Sequence, residues 1–193
     1  IFSGLNLEIP KGKHTILTGE NGSGKSTLLG LVAGVFYPTE GKVISFSEKY
    51  GYVSAYPFIF RDSLYSNLVY GLEDIHVDDE SLIDKLKMFN VFKEESNYDL
   101  SKPISNKSLS SGQMQKIAFI RSLLSNPDIM LLDESTSNLD IETKKLIFEL
   151  LQNENVTILN STHDPENFDF ADHHIEIKLL DQERIIKEKY WET

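Results

Sequence analysis

The sequence has no cysteine, so neither a disulfide nor a thiolate metal site holds any part of it together, and a reducing compartment is the default. Basic residues are scarce as well: 19 Lys and Arg stand against 30 Asp and Glu, a formal net charge of −11. Binding along a phosphate backbone draws on clustered cations, so this balance argues against nucleic acid as a partner. Long apolar runs are also missing. Leu28 to Tyr37, the longest mostly apolar stretch, is too short and too Gly-rich to supply the ~20 apolar residues of a bilayer-spanning helix. Ile1 to Lys13 lacks the basic-then-apolar order of a signal peptide. Leu5, Leu7 and Ile9 there alternate as in a strand that ends at Pro10-Lys11-Gly12. No repeat or biased segment occurs, which sets solenoids and disorder aside. With 193 residues, 40% hydrophobic and 25% charged, the chain has the makings of one globular domain that buries about 70% of its unfolded surface.

Against these absences stands one dense stretch, Gly19-Glu20-Asn21-Gly22-Ser23-Gly24-Lys25-Ser26-Thr27, which fits G-x-x-x-x-G-K-[ST] at every fixed position. Its glycines open turns closed to residues with a Cβ, so successive N–H groups can point at phosphate oxygens. Lys25 supplies a mobile cation, Ser26 a hydroxyl for Mg²⁺, and the helix that begins here aims its positive end at the same anion. The flanks suit the motif. His14 to Thr18 reads as a strand, and Leu28, Leu31, Val32 and Val35 recur at helical spacing until Gly34 and Pro38 close the helix.

Further along, Lys42 to Phe46 and Gly51 to Val53 are strand candidates. From Tyr56 to Ser108 the pattern turns helical, with Leu64 and Leu68 in one segment and Leu82, Ile83, Leu86 and Phe89 in another that opens on Asp78-Asp79-Glu80. This stretch reads as a helical insertion. The alternation then resumes: a helix from Ser111 to Leu124, the all-apolar strand Ile129 to Leu132, a helix from Ile141 to Leu151 and the strand Val156 to Asn160. Strands alternating with helices imply an α/β fold with a mainly parallel sheet, and a strand with no polar member belongs at its centre.

At the end of that central strand stand Asp133 and Glu134. In P-loop proteins an acid so placed helps hold Mg²⁺ opposite the loop hydroxyl, and the next carboxylate can orient and deprotonate an attacking water. Leu109-Ser110-Ser111-Gly112-Gln113 opens the preceding helix, with Ser110 and Gln113 spaced as a capping box. Together with Ser137-Asn138-Leu139-Asp140 and Ser161-Thr162-His163-Asp164, these motifs resemble those of the ATP-binding cassette (ABC) ATPases, most closely the nucleotide-binding domains of exporter-type ABC transporters. The resemblance runs from Leu5 to about Lys178: Walker A at Gly19 to Thr27, signature at Leu109 to Gln113, Walker B through Asp133 with Glu134, D-loop at Ser137 to Asp140, and a switch histidine at His163.

The resemblance implies an ABC-type P-loop fold with an antiparallel edge region. It implies one domain, with residues 1–55 and 109–193 as catalytic core and 56–108 as helical insertion. It also implies hydrolysis of ATP with Mg²⁺ between two domains arranged head to tail, a homodimer being the simplest form. In that arrangement the signature, Ser110, Ser111, Gly112 and Gln113, closes in trans over the nucleotide. Ser137 and Asp140 meet the partner, Ser26 and Asp133 serve the metal, and Lys25, Glu134 and His163 carry the catalysis. A transmembrane partner, fused or separate, would hold the domain on the cytoplasmic side of a membrane, docking on Tyr56 to Tyr70. His173 and His174 gain no role and read as surface or packing residues.

Departures are specific. Ala55 stands where the family usually has a metal-ligating Gln, Ser111 where it commonly has Gly, and Ile104 to Ser108 lacks the acidic, Gly-rich stretch of exporters. Phe2 lies too late to be the aromatic that stacks on adenine, from which an N-terminally trimmed domain is expected. Two other classes share the motifs: a soluble ABC ATPase acting on DNA or ribosomes, and a nucleotide-dependent switch that barely hydrolyses. The absence of a coiled-coil insertion or tandem domain counts against the first, and Glu134 with His163 against the second.

Overall fold

A computed structural model describes residues 1–72, 77–92, 98–163, 171–180 and 183–190. Residues 73–76 and 93–97 of the expected helical insertion, and Asp164 of the last motif, lie outside them. The apolar runs that read as strands form β1 (His14–Gly19), β2 (Tyr50–Ser54), β5 (Ile129–Asp133) and β6 (Thr157–Ser161). They join β7 (His173–Leu180) and β8 (Glu183–Tyr190) in one six-stranded sheet of order β2-β5-β6-β1-β7-β8. All neighbours pair in parallel except β7 and β8. Two-residue strands β3 (Asp62–Ser63) and β4 (Pro103–Ile104) pair separately.

Both faces of the sheet are covered, which is why β5 is apolar from Ile129 to Leu132 and all five residues of β6 are buried. Alternate side chains go to opposite sides. Leu17, Leu131, Leu159 and Ile175 pack with Leu28 and Leu29 of α1 (Lys25–Val32). Ile16, Met130, Leu132 and Ile158 pack with Ile117, Phe119 and Ile120 of α4 (Ser111–Leu124) and with Ile147 and Phe148 of α5 (Ile141–Asn153). The helical segment joins this second core through Leu64 and Leu68 of α2 (Leu64–Val69), Leu82 and Leu86 of α3 (Asp79–Met88), and Phe89. Each of these helices opens on a side-chain cap, Ser63 for α2 and Asp78 for α3, each accepting from the backbone N–H three residues on. Acids in the first turn of α3 and Lys85 and Lys87 in its last complement its dipole.

Two expectations fail. Leu5 to Ile9 and Lys42 to Phe46 are not strands. Alternation alone does not make a strand, because each backbone polar group also needs a ladder partner, and neither segment pairs with the sheet. Leu7 and Ile9 instead lean on the α1-side core. The antiparallel edge is built by β7 and β8. Around the unpaired segment a run of large apolar side chains stands in solvent, among them Phe36, Tyr37 at 86% exposure, and Ile44 at 77%.

His14 begins β1 in a fully buried position, its ring stacked on Phe148 with centroids 4.9 Å apart. Burial pushes its pKa from 6.5 down to about 4, against the pull of the Asp172 carboxylate. Between those values the unfolded chain binds a proton that the native chain does not. Stability therefore rises with pH across that window and is lost as pH falls through it, by about 3 kcal/mol for this group. His14→Phe keeps the stacked ring and removes the titration. In urea unfolding at about pH 7 and about pH 4.5, which crosses most of that window, the variant should lose less stability on acidification than the wild type, by about 2 kcal/mol.

Candidate active site

The carboxyl ends of β1, β6 and β5 lie side by side, since Leu17 and Asp133 both pair with Ser161. From these three ends leave the Gly19–Thr27 loop, His163 and Glu134. In open parallel sheets the carboxyl ends of the strands are where ligands bind. At two points of the loop a side chain would both strain the backbone and collide with a neighbour. Gly19 has φ +152°, and a Cβ there would lie 2.5 Å from the Ile177 carbonyl oxygen. Gly24, at φ +112°, caps α1, and a Cβ there would meet the Phe2 ring at 2.8 Å.

Lys25 turns its ammonium back into the loop. It is only 5% exposed, and its Nζ donates to the carbonyl oxygens of Gly19 at 2.9 Å and Glu20 at 3.3 Å. The same Nζ lies 3.6 Å from Oε1 of Glu134, which in turn is 2.8 Å from Nε2 of His163. Three expected residues, spread over 139 positions of sequence, thus form one chain of contacts: cation, carboxylate, imidazole. Glu134 reaches it from a left-handed backbone, φ +52°, a conformation that costs a non-glycine residue roughly 1–2 kcal/mol. Its N–H donates to the Ser161 carbonyl at 3.0 Å and its own carbonyl accepts from Ser137 Oγ at 3.1 Å, which holds the turn.

Asp133 accepts a hydrogen bond from the Tyr52 hydroxyl at 3.2 Å. Burial pushes the Tyr52 phenol up to about 12, and the charge and hydrogen bond of Asp133 add to it. This contact escaped the sequence reading; its signal was the pairing of Tyr52 with Leu131, which puts Tyr52 on the same sheet face as Asp133. Ser26 is exposed at the start of α1. Mg²⁺ favours a few oxygen ligands beside phosphate and water over an all-protein cage. The Ser26 hydroxyl and Asp133 carboxylate fit that demand, and no group of three or more His, Cys, Asp or Glu able to hold a metal occurs among the described residues. Ala55 adds no side-chain oxygen; its carbonyl accepts from the buried Gln115 at 3.3 Å.

The signature stands apart from this cluster. Ser110 caps α4, accepting from the Gln113 N–H at 3.2 Å, while Gln113 Oε1 accepts from the Ser110 N–H at 2.8 Å, so the capping box is complete. Ser111 is the first helical residue and is free of positive φ, so its replacement of glycine brings no backbone strain. Gly112 lies against the D-loop, where a Cβ would sit 3.1 Å from the Asn138 carbonyl oxygen. One helical turn on, Lys116 pairs with Asp140 at 3.3 Å and donates to the Asn90 carbonyl at 3.3 Å. Asp140 also caps α5 through the Thr143 N–H at 2.8 Å. Burial works against its ionisation, but the bonds from Thr143 and Lys116 outweigh it and bring its pKa to about 2. Among the described residues no hydrogen bond or ion pair links Ser110–Gln113 to the Gly19–Thr27 loop. His173 and His174 lie in β7, outside the cluster: His173 is buried, stacked on Tyr190 and 3.2 Å from Glu188, and His174 meets Thr18 Oγ1 at 2.7 Å.

Comparison with known proteins bears on the family and the fold. The sequence profile of the family described as ABC transporter matches residues 2–137. The chain is 32% identical over 168 residues to ABC transporter B family member 17 of Arabidopsis thaliana, covering 79% of this chain and 14% of that protein. It is 34% identical over 175 residues to the sophorolipid transporter of Starmerella bombicola, covering 78% and 13%. The chain thus spans about an eighth of the length of these relatives. In fold it matches a bacterial Atm1-family ABC exporter solved with ATP bound, with a TM-score of 0.83 and 23% identity over 98% of this chain and 36% of that one. A profile that takes in most of the residues, and relatives above 30% identity across more than three quarters of them, place this chain in the ABC transporter family, as an ATPase domain of the exporter type.

Proposed function

We propose that the chain binds Mg-ATP on the Gly19–Thr27 loop, closes head to tail on a second copy of itself, and uses hydrolysis to drive a membrane-spanning partner, so that it works on the cytoplasmic face of a membrane. The observation that carries this reading is the contact chain of Lys25, Glu134 and His163 at the ends of three adjacent strands. Residues 1–55 and 109–193 form the catalytic core in this reading and 56–108 the part that faces the partner.

Lys25 is neutralised by two carbonyls and Glu134. A triphosphate is a stronger partner, and by drawing Lys25 toward itself it frees the Glu134 carboxylate to take a proton from water. His163, already within hydrogen-bonding distance of Glu134, steadies that carboxylate and the γ-phosphate. Mg²⁺, held between the nucleotide, Ser26 and Asp133, would neutralise charge on the β- and γ-oxygens. The partner copy's Ser110–Gln113 would complete the site, and the contact of Gly112 with the D-loop together with the Lys116–Asp140 pair makes signature and D-loop move as one piece.

Docking on the membrane partner falls to Tyr56 through Tyr70. Tyr56 is 91% exposed and Phe58 64%. Arg121 of α4 donates to the carbonyls of Phe58 at 3.2 Å and Asn67 at 2.7 Å and lies over the Phe60 and Tyr70 rings. A push on this aromatic segment therefore reaches the helix whose first turn is the signature.

Four variants test the reading. Lys25→Ala should abolish ATP binding in calorimetry, whereas Glu134→Gln should keep ATP bound, slow hydrolysis by several powers of ten, and shift the protein to a dimer in size-exclusion chromatography with ATP. Normal turnover by Glu134→Gln would remove it as the base. Ala55→Gln supplies the missing ligand and should raise Mg²⁺ affinity or turnover; an unchanged Mg²⁺ titration and rate would sink the view that Ala55 leaves the site short of an oxygen. Because the chain has no cysteine, Tyr56→Cys puts its sole thiol on the expected docking face. A short bis-maleimide should then join it to a thiol introduced in the cytoplasmic loops of the membrane partner, and labelling elsewhere only would count against the interface.

A further inference from the structure

One cation near the nucleotide loop has no part in any motif. Arg184, the second residue of β8, reaches past β7 and spreads its guanidinium over three main-chain carbonyls: Nε donates to Ser23 at 2.8 Å, Nη1 to Ile1 at 3.1 Å and Nη2 to Gly22 at 3.3 Å. Two of the three acceptors are consecutive residues of the loop. We propose that Arg184 is a positioning residue for nucleotide binding, fixing the orientation of the loop's peptide planes from behind. The proposal rests on the reading of Gly19–Thr27 as the phosphate site.

The reasoning is geometric. The peptide bonds of the described residues are trans, so each carbonyl oxygen and the next residue's N–H point in opposite directions across one rigid plane. Anchoring the Ser23 carbonyl toward β8 turns the Gly24 N–H to the far side. Anchoring the Gly22 carbonyl fixes the preceding plane, whose N–H, on Ser23, donates to the Glu20 carbonyl at 3.1 Å. These planes sit among glycines with φ +80° at Gly22 and +112° at Gly24, where no side chain restricts rotation. A glycine-rich loop loses much freedom on gripping an anion, and a guanidinium that has already fixed two of its planes removes part of that loss. Arginine suits the task because its planar fork of N–H donors serves several carbonyls at once, whereas lysine is a point charge. The fixed positive charge adds attraction for phosphate in a chain of net −11.

A purely structural Arg184 would only tie the β7–β8 hairpin to the core. The two roles separate on measurement in the intact protein, with wild type, Arg184→Met and Arg184→Lys compared by calorimetric titration with Mg-ATP, steady-state hydrolysis, and thermal unfolding without nucleotide. Loss of preorganised donors weakens ground and transition states alike, so Arg184→Met should raise Kd and KM for ATP by about tenfold, on the scale of hydrogen bonds to a charged group, with kcat changed less than about threefold. Arg184→Lys should fall between the two. Wild-type ATP affinity in Arg184→Met, or a loss of affinity in both variants that only follows their loss of unliganded thermal stability, would overturn the proposal. Failure of the wild type itself to bind ATP would overturn the nucleotide reading and this one with it.

Discussion

A cation kept from water has to find its counter-charge inside the fold, and the Lys25 ammonium is such a cation. Its partners, two carbonyls of its own loop and the Glu134 carboxylate, fix much of what surrounds them. The carbonyls face inward only because Gly19 and Gly24 let the loop turn where a Cβ would collide. The carboxylate arrives only because the residue after β5 takes a left-handed turn, pinned on one side by the β6 carbonyl and on the other by Ser137. The strain at Glu134 and the burial of Lys25 are thus two halves of one arrangement, each bearable because of the other.

That arrangement depends in turn on register. With β1, β6 and β5 parallel and adjacent, one residue of slippage in either pairing would carry the acid or the histidine about 3.3 Å along the sheet and flip it to the other face. The two apolar layers prevent this. Leu131 and Leu159 can face α1 only while Met130 and Ile158 face α4, so the core that stabilises the domain is also what sets the distance between its reacting groups. The second layer extends without a break into α2 and α3, so the aromatic segment at Tyr56 to Tyr70 is joined to the signature helix by packing as well as by Arg121.

What could be read from the sequence was whatever is decided locally. The glycine spacing of the loop, the Ser110–Gln113 box and the acidic start of α3 are each settled within a turn of chain, and each is found where it was expected. The segments Leu5–Ile9 and Lys42–Phe46 alternate as strands do, but whether a strand forms is decided by a second segment, and none pairs with them. Conversely Ile175 and Ile177 alternate with polar residues and do form a strand, because β1, far away in sequence, and β8 supply the ladder partners. The Tyr52–Asp133 bond and the reach of Arg184 to the loop depend on which strands lie side by side, an order that no local pattern encodes. Whether Ser111 can stand where the family commonly has Gly is decided by its backbone, which lies inside the first turn of α4 with no positive φ.

The apolar run left in solvent between Phe36 and Phe46 has a colloidal consequence. Patches of this kind are sticky, and the backbone beside them, unpaired with the sheet, can accept a strand from elsewhere. What opposes such contact between copies is long-range repulsion from a net charge of −11, which acts over a distance of about 8 Å at physiological ionic strength and about 3 Å in molar salt. Added salt therefore strips the domain of its protection while leaving the patch as adhesive as before.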